Sequence, residues 1–185
     1  MNTTITQKDA ADMLATADEL YSQLEVEQAL DRLAVEITGK LSGEDPIILS
    51  VLNGALIPTG HLLTRLNFPL RQDYVHATRY RGNTAGAGLE WIGQPSTSLQ
   101  DQTVLVIDDI LDEGITLSAI VDACHQAGAK AVYSAVLVEK LHDRGVGYKA
   151  DFIGLTVEDR YVFGYGMDYK GYLRNVPAIM AVRTC

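Results

Sequence analysis

The fold of this chain is limited above all by residues 103–117, which read TVLVIDDILDEGITL. The first five of these are almost all apolar or β-branched, as is typical of a strand that is buried on both faces of a sheet. The run then stops at Asp108 and Asp109, and the apolar positions from Leu117 onward have helical spacing. We therefore expect the acidic residues to lie in a loop between a buried strand and a helix N-terminus, where open α/β sheets bind ligands.

The remainder of the chain alternates strand and helix patterns in the same way. Amphipathic spacing predicts a helix within residues 20–41, and residues 46–52 predict a buried strand that runs into a glycine turn at Asn53 and Gly54. Further elements are predicted at residues 57–66 (helix), 70–79 (strand), 116–127 (helix), 131–137 (strand) and 152–157 (strand). Together they predict one α/β domain over residues 1–185, with a mainly parallel central sheet flanked by helices.

Two segments are expected to lie outside this core. Residues 1–20 read as an N-terminal arm with weak helical character. The polar segment 79–100 reads as a lid or hairpin insertion, because a long polar stretch before a buried strand is typical of a functional loop.

Composition excludes several classes of function. A formal net charge of -9 argues against a general nucleic-acid-binding protein, because phosphate-backbone affinity comes from clustered Lys and Arg. No apolar run approaches the ~18 residues of a membrane span. The N-terminal residues lack the basic and apolar regions of a secretory signal, so we expect a cytoplasmic protein. The two cysteines, Cys124 and Cys185, are too few for a disulfide framework.

The acidic turn offers two kinds of chemistry within residues 108–116. The adjacent carboxylates of Asp108 and Asp109 can accept hydrogen bonds from vicinal hydroxyls or bind Mg²⁺. From Glu113 to Thr116, backbone N–H groups at a helix N-terminus and one hydroxyl can bind an anion, and Gly114 allows a phosphate to approach closely. A ligand with both a diol and a phosphate, such as a ribose 5-phosphate, would satisfy both halves.

Two other interpretations of the turn are open. The acids could be solvated loop residues, although three acids, a glycine and a threonine at this spacing disfavour that. In the receiver domain of response regulators an apolar strand also ends in a carboxylate pair that binds Mg²⁺. That fold expects the pair near the N-terminus and a phosphoacceptor Asp at the end of a later strand. Here the pair lies mid-chain and Asp151 precedes its strand, which disfavours the receiver domain.

Residues 104–117 resemble the phosphoribosyl-pyrophosphate (PRPP) signature of the type I phosphoribosyltransferases. From about Leu20 to Val182 the chain is similar to the hypoxanthine-guanine phosphoribosyltransferase branch. This resemblance implies the type I phosphoribosyltransferase fold, with a small hood and a mobile lid loop. It also implies purine salvage with Mg²⁺ as cofactor, in which a 5-phosphoribosyl group passes from PRPP to hypoxanthine and/or guanine and gives IMP or GMP and pyrophosphate.

The resemblance implies roles for the whole acidic turn. Asp108 and Asp109 would face the ribose hydroxyls, and Asp112 would lie beside the purine N7 as the catalytic acid/base group. The 5-phosphate would be bound by Glu113, Gly114, Ile115 and Thr116. One Mg²⁺ would be bound by Asp108 and Asp109, and a second by Asp168.

The resemblance implies pyrophosphate and purine sites elsewhere in the chain. The pyrophosphate would be bound by Asn53, Gly54, Arg79 and Arg174. In relatives the peptide that corresponds to Leu52-Asn53 is often cis, and we carry this over as a hypothesis. The purine would be bound by Lys140 at its exocyclic oxygen, by stacking on Tyr161, by backbone groups of Val162, and by Asp168, which shapes the pocket.

Two alternatives to hypoxanthine/guanine transfer stay open. A PRPP-binding regulatory protein of the same fold would lack purine transferase activity, although the presence of both Asp112 and Lys140 favours an enzyme. A xanthine-preferring phosphoribosyltransferase is the second alternative, because preference at the purine C2 edge depends mainly on backbone groups near Asp168. Relatives are dimers or tetramers, so we expect a homodimer or homotetramer.

Relatives commonly have a Ser-Tyr pair in the lid; here Tyr80 keeps the aromatic residue, whereas Arg79 replaces the serine. Many relatives also carry a basic residue where this chain has Asn53. We expect Arg79 to supply the positive charge that Asn53 lacks. The Arg79→Ser variant should therefore have a higher Michaelis constant for PRPP in steady-state kinetics. An unchanged constant would contradict this role of Arg79.

Overall fold

The computed structural model describes residues 5–79 and 89–183, with the backbone alone at residues 78, 79, 89 and 90. Its helices are α1 (Gln7–Thr16), α2 (Gln23–Leu41), α3 (Leu56–Leu63) and α4 (Ile115–Gln126). Its strands are β1 (Asp18–Tyr21), β2 (Ile47–Leu52), β3 (Arg71–Arg79), β4 (Leu89–Gly93), β5 (Thr103–Leu111), β6 (Ala131–Leu141), β7 (Phe152–Glu158), β8 (Val162–Phe163) and β9 (Ile179–Ala181).

Six strands form the central sheet in the order β4-β3-β2-β5-β6-β7. All neighbours in it are parallel except β4, which pairs antiparallel with β3 at the edge. A smaller antiparallel sheet, β1-β9-β8, forms the hood and joins the N-terminal strand to the end of the described chain. The predicted α/β architecture with a mainly parallel sheet and a small hood is confirmed.

The central strands are buried on both faces, as their apolar runs predict. In β5, Leu105 and Ile107 pack in the core beneath α2 and α3, whereas Val104 and Val106 pack in the core beneath α4. Alternate residues of one strand point to opposite faces, so a continuous apolar run is needed to fill both cores. The central strand β5 is therefore fixed from two sides.

Local sequence explains where the long helix α2 begins and which side it buries. The Ser22 side chain accepts from the Glu25 backbone N–H, and the Glu25 carboxylate accepts from the Ser22 N–H, which forms a capping box. Its buried side chains recur at helical spacing and are Val26, Ala29, Leu30, Leu33, Ala34, Ile37 and Leu41. The helix thus buries one side along most of its length, against β7, α3 and β1.

The N-terminal segment carries two elements. Helix α1 begins with a second capping box, between Thr6 and Asp9, and β1 follows it. The β1 strand pairs with β9. Of the predicted arm, the part from residue 5 onward is thus a helix and a strand of the hood.

Two strand boundaries differ from the sequence-based expectation. Strand β5 was expected to end before the acidic pair, but its ladder with β6 continues through Asp108 to Leu111. Strand β6 likewise continues past residue 137 and includes Lys140. The expectation was wrong because it took the first charge as the end of the strand. At the carboxyl edge of a sheet, the backbone of charged residues can continue the hydrogen-bonded ladder while their side chains face a cavity.

Within residues 5–79 and 89–183, the helices are all too short or too polar to cross a membrane.

One buried carboxylate, Asp73 of β3, fixes the segment that follows β4. Asp73 is 7% exposed and accepts hydrogen bonds from the backbone N–H groups of Ser96 and Thr97 at 2.9 and 2.8 Å, and from the Ser96 hydroxyl at 3.0 Å. Burial raises the pKa of Asp73, but these donors and the Tyr74 N–H outweigh it and lower the pKa to about 2.

We expect Asp73→Asn to destabilise the protein by about 2 kcal/mol at neutral pH. The folded-state pKa is lower than the unfolded value, so this stability is present above about pH 4 and is lost as the pH falls toward 2. Urea unfolding of both proteins at several pH values measures the difference. The control Asp12→Asn, at an exposed site on α1, should change stability far less. A difference between wild type and Asp73→Asn that persists at pH 2 would contradict this origin.

Candidate functional site

The candidate site lies at the carboxyl ends of the parallel strands β2, β5 and β6, in two adjoining cavities. The first, of about 290 Å³, lies between the Asn53-Gly54 turn and the segment from β5 to α4. The second, of about 210 Å³, lies toward Lys140 and Tyr161. Four residues line both cavities: Asp109, Ile110, Asp112 and Asp168. The site is therefore bipartite, and Asp112 lies where its halves meet.

The acidic pair lies at the base of the first cavity, in surroundings that disfavour the charged form of both carboxylates. Asp108 is only 8% exposed. Burial, and next the charge of Asp109, raise the pKa of Asp108 well above its ordinary value. Burial also raises the pKa of Asp109, although hydrogen bonding to Asp108 and the positive charge of Arg174 oppose that shift. A cation at this position would stabilise both carboxylates in their ionised form.

The Asn53-Gly54 turn closes against this pair, and the Leu52-Asn53 peptide bond is cis, as hypothesised. A Cβ added at Gly54 would lie 1.9 Å from Asp109 Oδ2, so only glycine allows this approach. On its other side the turn contacts Gly166, where an added Cβ would lie 2.0 Å from the Gly54 carbonyl oxygen. The turn is thus fitted between the acidic pair and the loop after β8.

The turn from β5 into α4 contains a left-handed backbone conformation at Gly114, which glycine adopts without strain. Gly114 has a φ of 76° and is the N-cap residue of α4. A Cβ at Gly114 would also lie 2.9 Å from Tyr148 Cβ, and the Glu113 carbonyl oxygen accepts from the Val146 N–H at 3.0 Å. The segment after β6 therefore supports this turn from behind. Glu113, Gly114 and Thr116 line the first cavity, whereas Ile115 is not among its lining residues.

Asp112 is held by two side chains from the end of β6 and the residue after it. Its Oδ2 atom accepts from Lys140 Nζ at 3.0 Å, and its Oδ1 atom lies 2.7 Å from His142 Nε2. Burial raises the pKa of Asp112, but hydrogen bonds from Lys140 and His142 outweigh it, so the net shift is downward. Asp112 is therefore poised as an ionised carboxylate that can accept a proton.

The second cavity is lined by the predicted base-binding residues. Tyr161 is 49% exposed and packs edge-on against Tyr169, which leaves its ring available for stacking. Val162 is buried. Asp168 accepts from Arg174 Nη2 at 2.7 Å and from the Gly171 N–H at 2.7 Å. Arg174 also donates to the Gly166 carbonyl oxygen, so it links the loop after β8 to the first cavity.

The structure brings most of the predicted site residues together. Those lining one cavity or both are Asn53, Gly54, Asp108, Asp109, Asp112, Glu113, Gly114, Thr116, Lys140, Tyr161, Val162, Asp168 and Arg174. The backbone of Arg79 ends β3, but its side chain and the whole of Tyr80 lie outside the described residues, as do residues 81–88 of the predicted lid.

His142 is the residue that sequence reasoning missed. It follows Lys140 by two positions, so both side chains leave the same side of the extended chain. That spacing was the available signal, because a residue two positions after a proposed site lysine leaves the chain on the same side, and here both side chains contact Asp112.

Among residues 5–79 and 89–183, no group of three or more His, Cys, Asp or Glu side chains is arranged to bind a metal ion by itself. A metal here would need ligands from a bound substrate in addition to the carboxylates.

Comparisons with known proteins agree with this geometry. Residues 16–170 match the model of the phosphoribosyl transferase domain. The chain belongs to this family. Over 86% of its length it is 33% identical to the hypoxanthine-guanine phosphoribosyltransferase of Bacillus subtilis, of which it covers 89%. It is 34% identical to the bifunctional protein TilS/HprT of Listeria innocua over 86% of its own length, but covers only 25% of that protein.

A solved phosphoribosyltransferase has the same fold. The structure of a hypoxanthine-guanine phosphoribosyltransferase from Bacillus anthracis aligns with a TM-score of 0.84 and 26% identity, over 90% of this chain and 98% of that one. Membership of the phosphoribosyl transferase family excludes the receiver-domain alternative.

The contact between Gly54 and Asp109 gives a stability prediction. We expect Gly54→Ala to cost about 1–3 kcal/mol in urea unfolding, because the new methyl group overlaps the Asp109 carboxylate. In an Asp109→Ala background the same change should cost at least about 1 kcal/mol less.

The matched control is Gly60→Ala in α3, where an added Cβ meets nothing within 4 Å. It should be neutral or slightly stabilising. An equal cost of Gly54→Ala in both backgrounds would show that the overlap with Asp109 is not the cause.

Proposed function

We propose that this protein is a purine salvage phosphoribosyltransferase that transfers the 5-phosphoribosyl group of PRPP to hypoxanthine and/or guanine. The products would be IMP or GMP and pyrophosphate. The observation that carries the proposal is the meeting of two cavities at Asp112, one with acidic and anion-binding features and one with an exposed aromatic ring and a lysine. The relative from Bacillus subtilis, of which this chain covers 89%, is named a hypoxanthine-guanine phosphoribosyltransferase.

PRPP is assigned to the first cavity. We propose that Asp108 and Asp109 accept hydrogen bonds from the ribose hydroxyls, and that the turn from Glu113 to Thr116 binds the 5-phosphate at the N-terminus of α4. The pyrophosphate would lie against the Asn53-Gly54 turn. Arg174, which lines this cavity, would approach it from the loop after β8, and Arg79 from the end of β3.

Mg²⁺ fits the first cavity as a cofactor. Mg²⁺ prefers oxygen ligands and is commonly bound by one or two carboxylates together with substrate phosphates. Two adjacent carboxylates favour a divalent cation between them and the substrate, since burial raises the pKa of both and the charge of Asp109 adds to the rise at Asp108. We propose that Asp108 and Asp109 hold one Mg²⁺ together with substrate oxygens, and that Asp168 holds a second one. When bound, Mg²⁺ would offset the negative charge of the pyrophosphate.

The purine is assigned to the second cavity. Tyr161 would stack on the ring, Val162 would present backbone groups to its edge, and Asp168 would shape the pocket. Lys140 Nζ would donate to the exocyclic oxygen of hypoxanthine or guanine. In the structure the same Nζ atom donates to Asp112, so base recognition and the acid/base group share one donor.

The proposed chemistry needs one proton acceptor at the junction. The purine N9 forms a bond to the anomeric carbon while the bond from that carbon to pyrophosphate breaks, through a transition state with oxocarbenium character. Asp112 would take the proton from purine N7. Its carboxylate would also stabilise the positive charge that develops on the ribose. Its lowered pKa keeps it ionised, and therefore able to act as a base, at neutral pH.

The direct test is a set of turnover assays with PRPP, Mg²⁺ and, in turn, hypoxanthine, guanine, xanthine and adenine. We expect nucleotide from hypoxanthine or guanine. Product from xanthine alone would replace the proposal by the xanthine-preferring alternative. Absence of product with every base, together with measurable PRPP binding, would favour the regulatory alternative. The expected cytoplasmic location and homodimer or homotetramer stay predictions.

Asp112→Asn tests the assigned acid/base group. The variant keeps the shape of the side chain but is a poor proton acceptor, so kcat should fall by about 10²–10⁴ while PRPP binding is kept. Calorimetric titration with PRPP and Mg²⁺ provides the binding control. Turnover equal to that of the wild type would remove Asp112 from this role.

A further inference from the structure

The carboxylate of Asp112 has one partner that the proposed function leaves without a role. Lys140 binds its Oδ2 atom, and His142 binds its Oδ1 atom at 2.7 Å. The His142 side chain is 7% exposed and that of Lys140 is 12% exposed, whereas that of Asp112 is 37% exposed. The carboxylate thus opens toward the cavity, which Lys140 also lines, whereas His142 approaches it from the protein side.

The tautomer of His142 is fixed by a second hydrogen bond. The backbone N–H of Arg144 donates to His142 Nδ1 at 3.0 Å, so Nδ1 must be the unprotonated nitrogen. The ring hydrogen is then on Nε2, which donates to Asp112 Oδ1. Protonation of both ring nitrogens would break the bond from Arg144. The backbone after β6 therefore orients the His142 ring so that Nε2 faces Asp112.

Charged groups nearby do not replace this donor. The Arg144 guanidinium lies 4.0 Å from Asp112 Oδ1, but it is 58% exposed and donates to Asp159 at 2.6 Å. It is thus engaged elsewhere, and Arg144 acts on the site through its backbone N–H.

Two acceptors compete for Lys140 Nζ when a purine is bound. The proposed function gives its Nζ atom to the exocyclic oxygen of the base, whereas in the structure it donates to Asp112. Lys140 and Asp112 line the same cavity, so a purine there must share or displace this contact. The carboxylate would then be free to rotate, unless its other oxygen stays bound.

We propose that His142 is the positioning residue of Asp112. Its Nε2–H bond to Oδ1 keeps the carboxylate aimed at purine N7 while Lys140 turns to the base. This inference rests on the proposed purine transfer. Misplacement of a reacting group by about 1 Å can cost about 10²-fold in rate, so loss of this bond should lower kcat while substrate affinity is little changed.

Two substitutions separate this role from support of the loop. In His142→Gln, the side-chain Nε2 can still donate to Asp112, but the acceptor for the Arg144 N–H is lost. In His142→Asn, the side-chain Oδ1 can still accept from that N–H, but the donor to Asp112 is lost. His125→Asn, an identical change at an exposed site in the last turn of α4, is the matched control.

We expect His142→Asn to lower kcat by about 10- to 100-fold with the KM for PRPP within about twofold of the wild type. His142→Gln should recover kcat to within about threefold of the wild type, and His125→Asn should match the wild type. Thermal unfolding of each variant detects any loss of the fold. The proposal is overturned if His142→Asn keeps the wild-type kcat, or if His142→Gln loses as much kcat as His142→Asn.

A readout without turnover separates this inference from the proposed function. Long-range ¹H–¹⁵N NMR spectra report which ring nitrogen of a histidine carries the hydrogen, and the His142→Gln spectrum assigns the signal. We expect the Nε2–H tautomer in the wild type, and a shifted Nε2 resonance in Asp112→Ala. An Nδ1–H tautomer in the wild type, or an Nε2 resonance unaffected by Asp112→Ala, would refute the bond from Nε2 to Asp112, whether or not the wild type makes nucleotide.

Discussion

Burial of β5 on both of its faces is the constraint on which the remaining structure depends. The side chains of Val104 and Leu105 enter different cores, one beneath α4 and one beneath α2 and α3. Once these are filled, the strand has one register against β2 and one against β6. This register fixes the position of the acidic residues at the carboxyl end of β5, at the edge where the neighbouring parallel strands also end.

Close backbone approach and unfavourable charge are concentrated at that edge. Burial and the neighbouring Asp109 raise the pKa of Asp108, burial raises the pKa of Asp109, and the Gly54 backbone packs against Asp109. Such an arrangement costs folding free energy unless a cation or hydrogen-bonding ligand offsets it. The hydrophobic packing of the two cores stabilises the fold and so offsets the free energy that these like charges cost. In contrast, Asp112 already has two donors and a lowered pKa.

The sequence predicted the helices, the parallel sheet and most of the cavity-lining residues, because these follow from periodicity and from a turn motif. It placed the ends of β5 and β6 too early, since charged residues such as Asp108 and Lys140 still pair in the ladder at a sheet edge. It did not reveal His142, whose role depends on a contact across 30 residues with Asp112. The Arg79 and Tyr80 predictions lie beyond what the described side chains can address.

By itself, the sequence determined the class of the fold and the kind of ligand chemistry at the β5 turn, because apolar periodicity and local residue types act over short distances along the chain. Only the tertiary structure decided how the pieces meet. It placed Gly54 against Asp109, joined two cavities at Asp112, and fixed the His142 tautomer through the Arg144 backbone. These are contacts between segments far apart in the chain or details of hydrogen-bond geometry, and they exist only once the parallel strands have brought their carboxyl ends together.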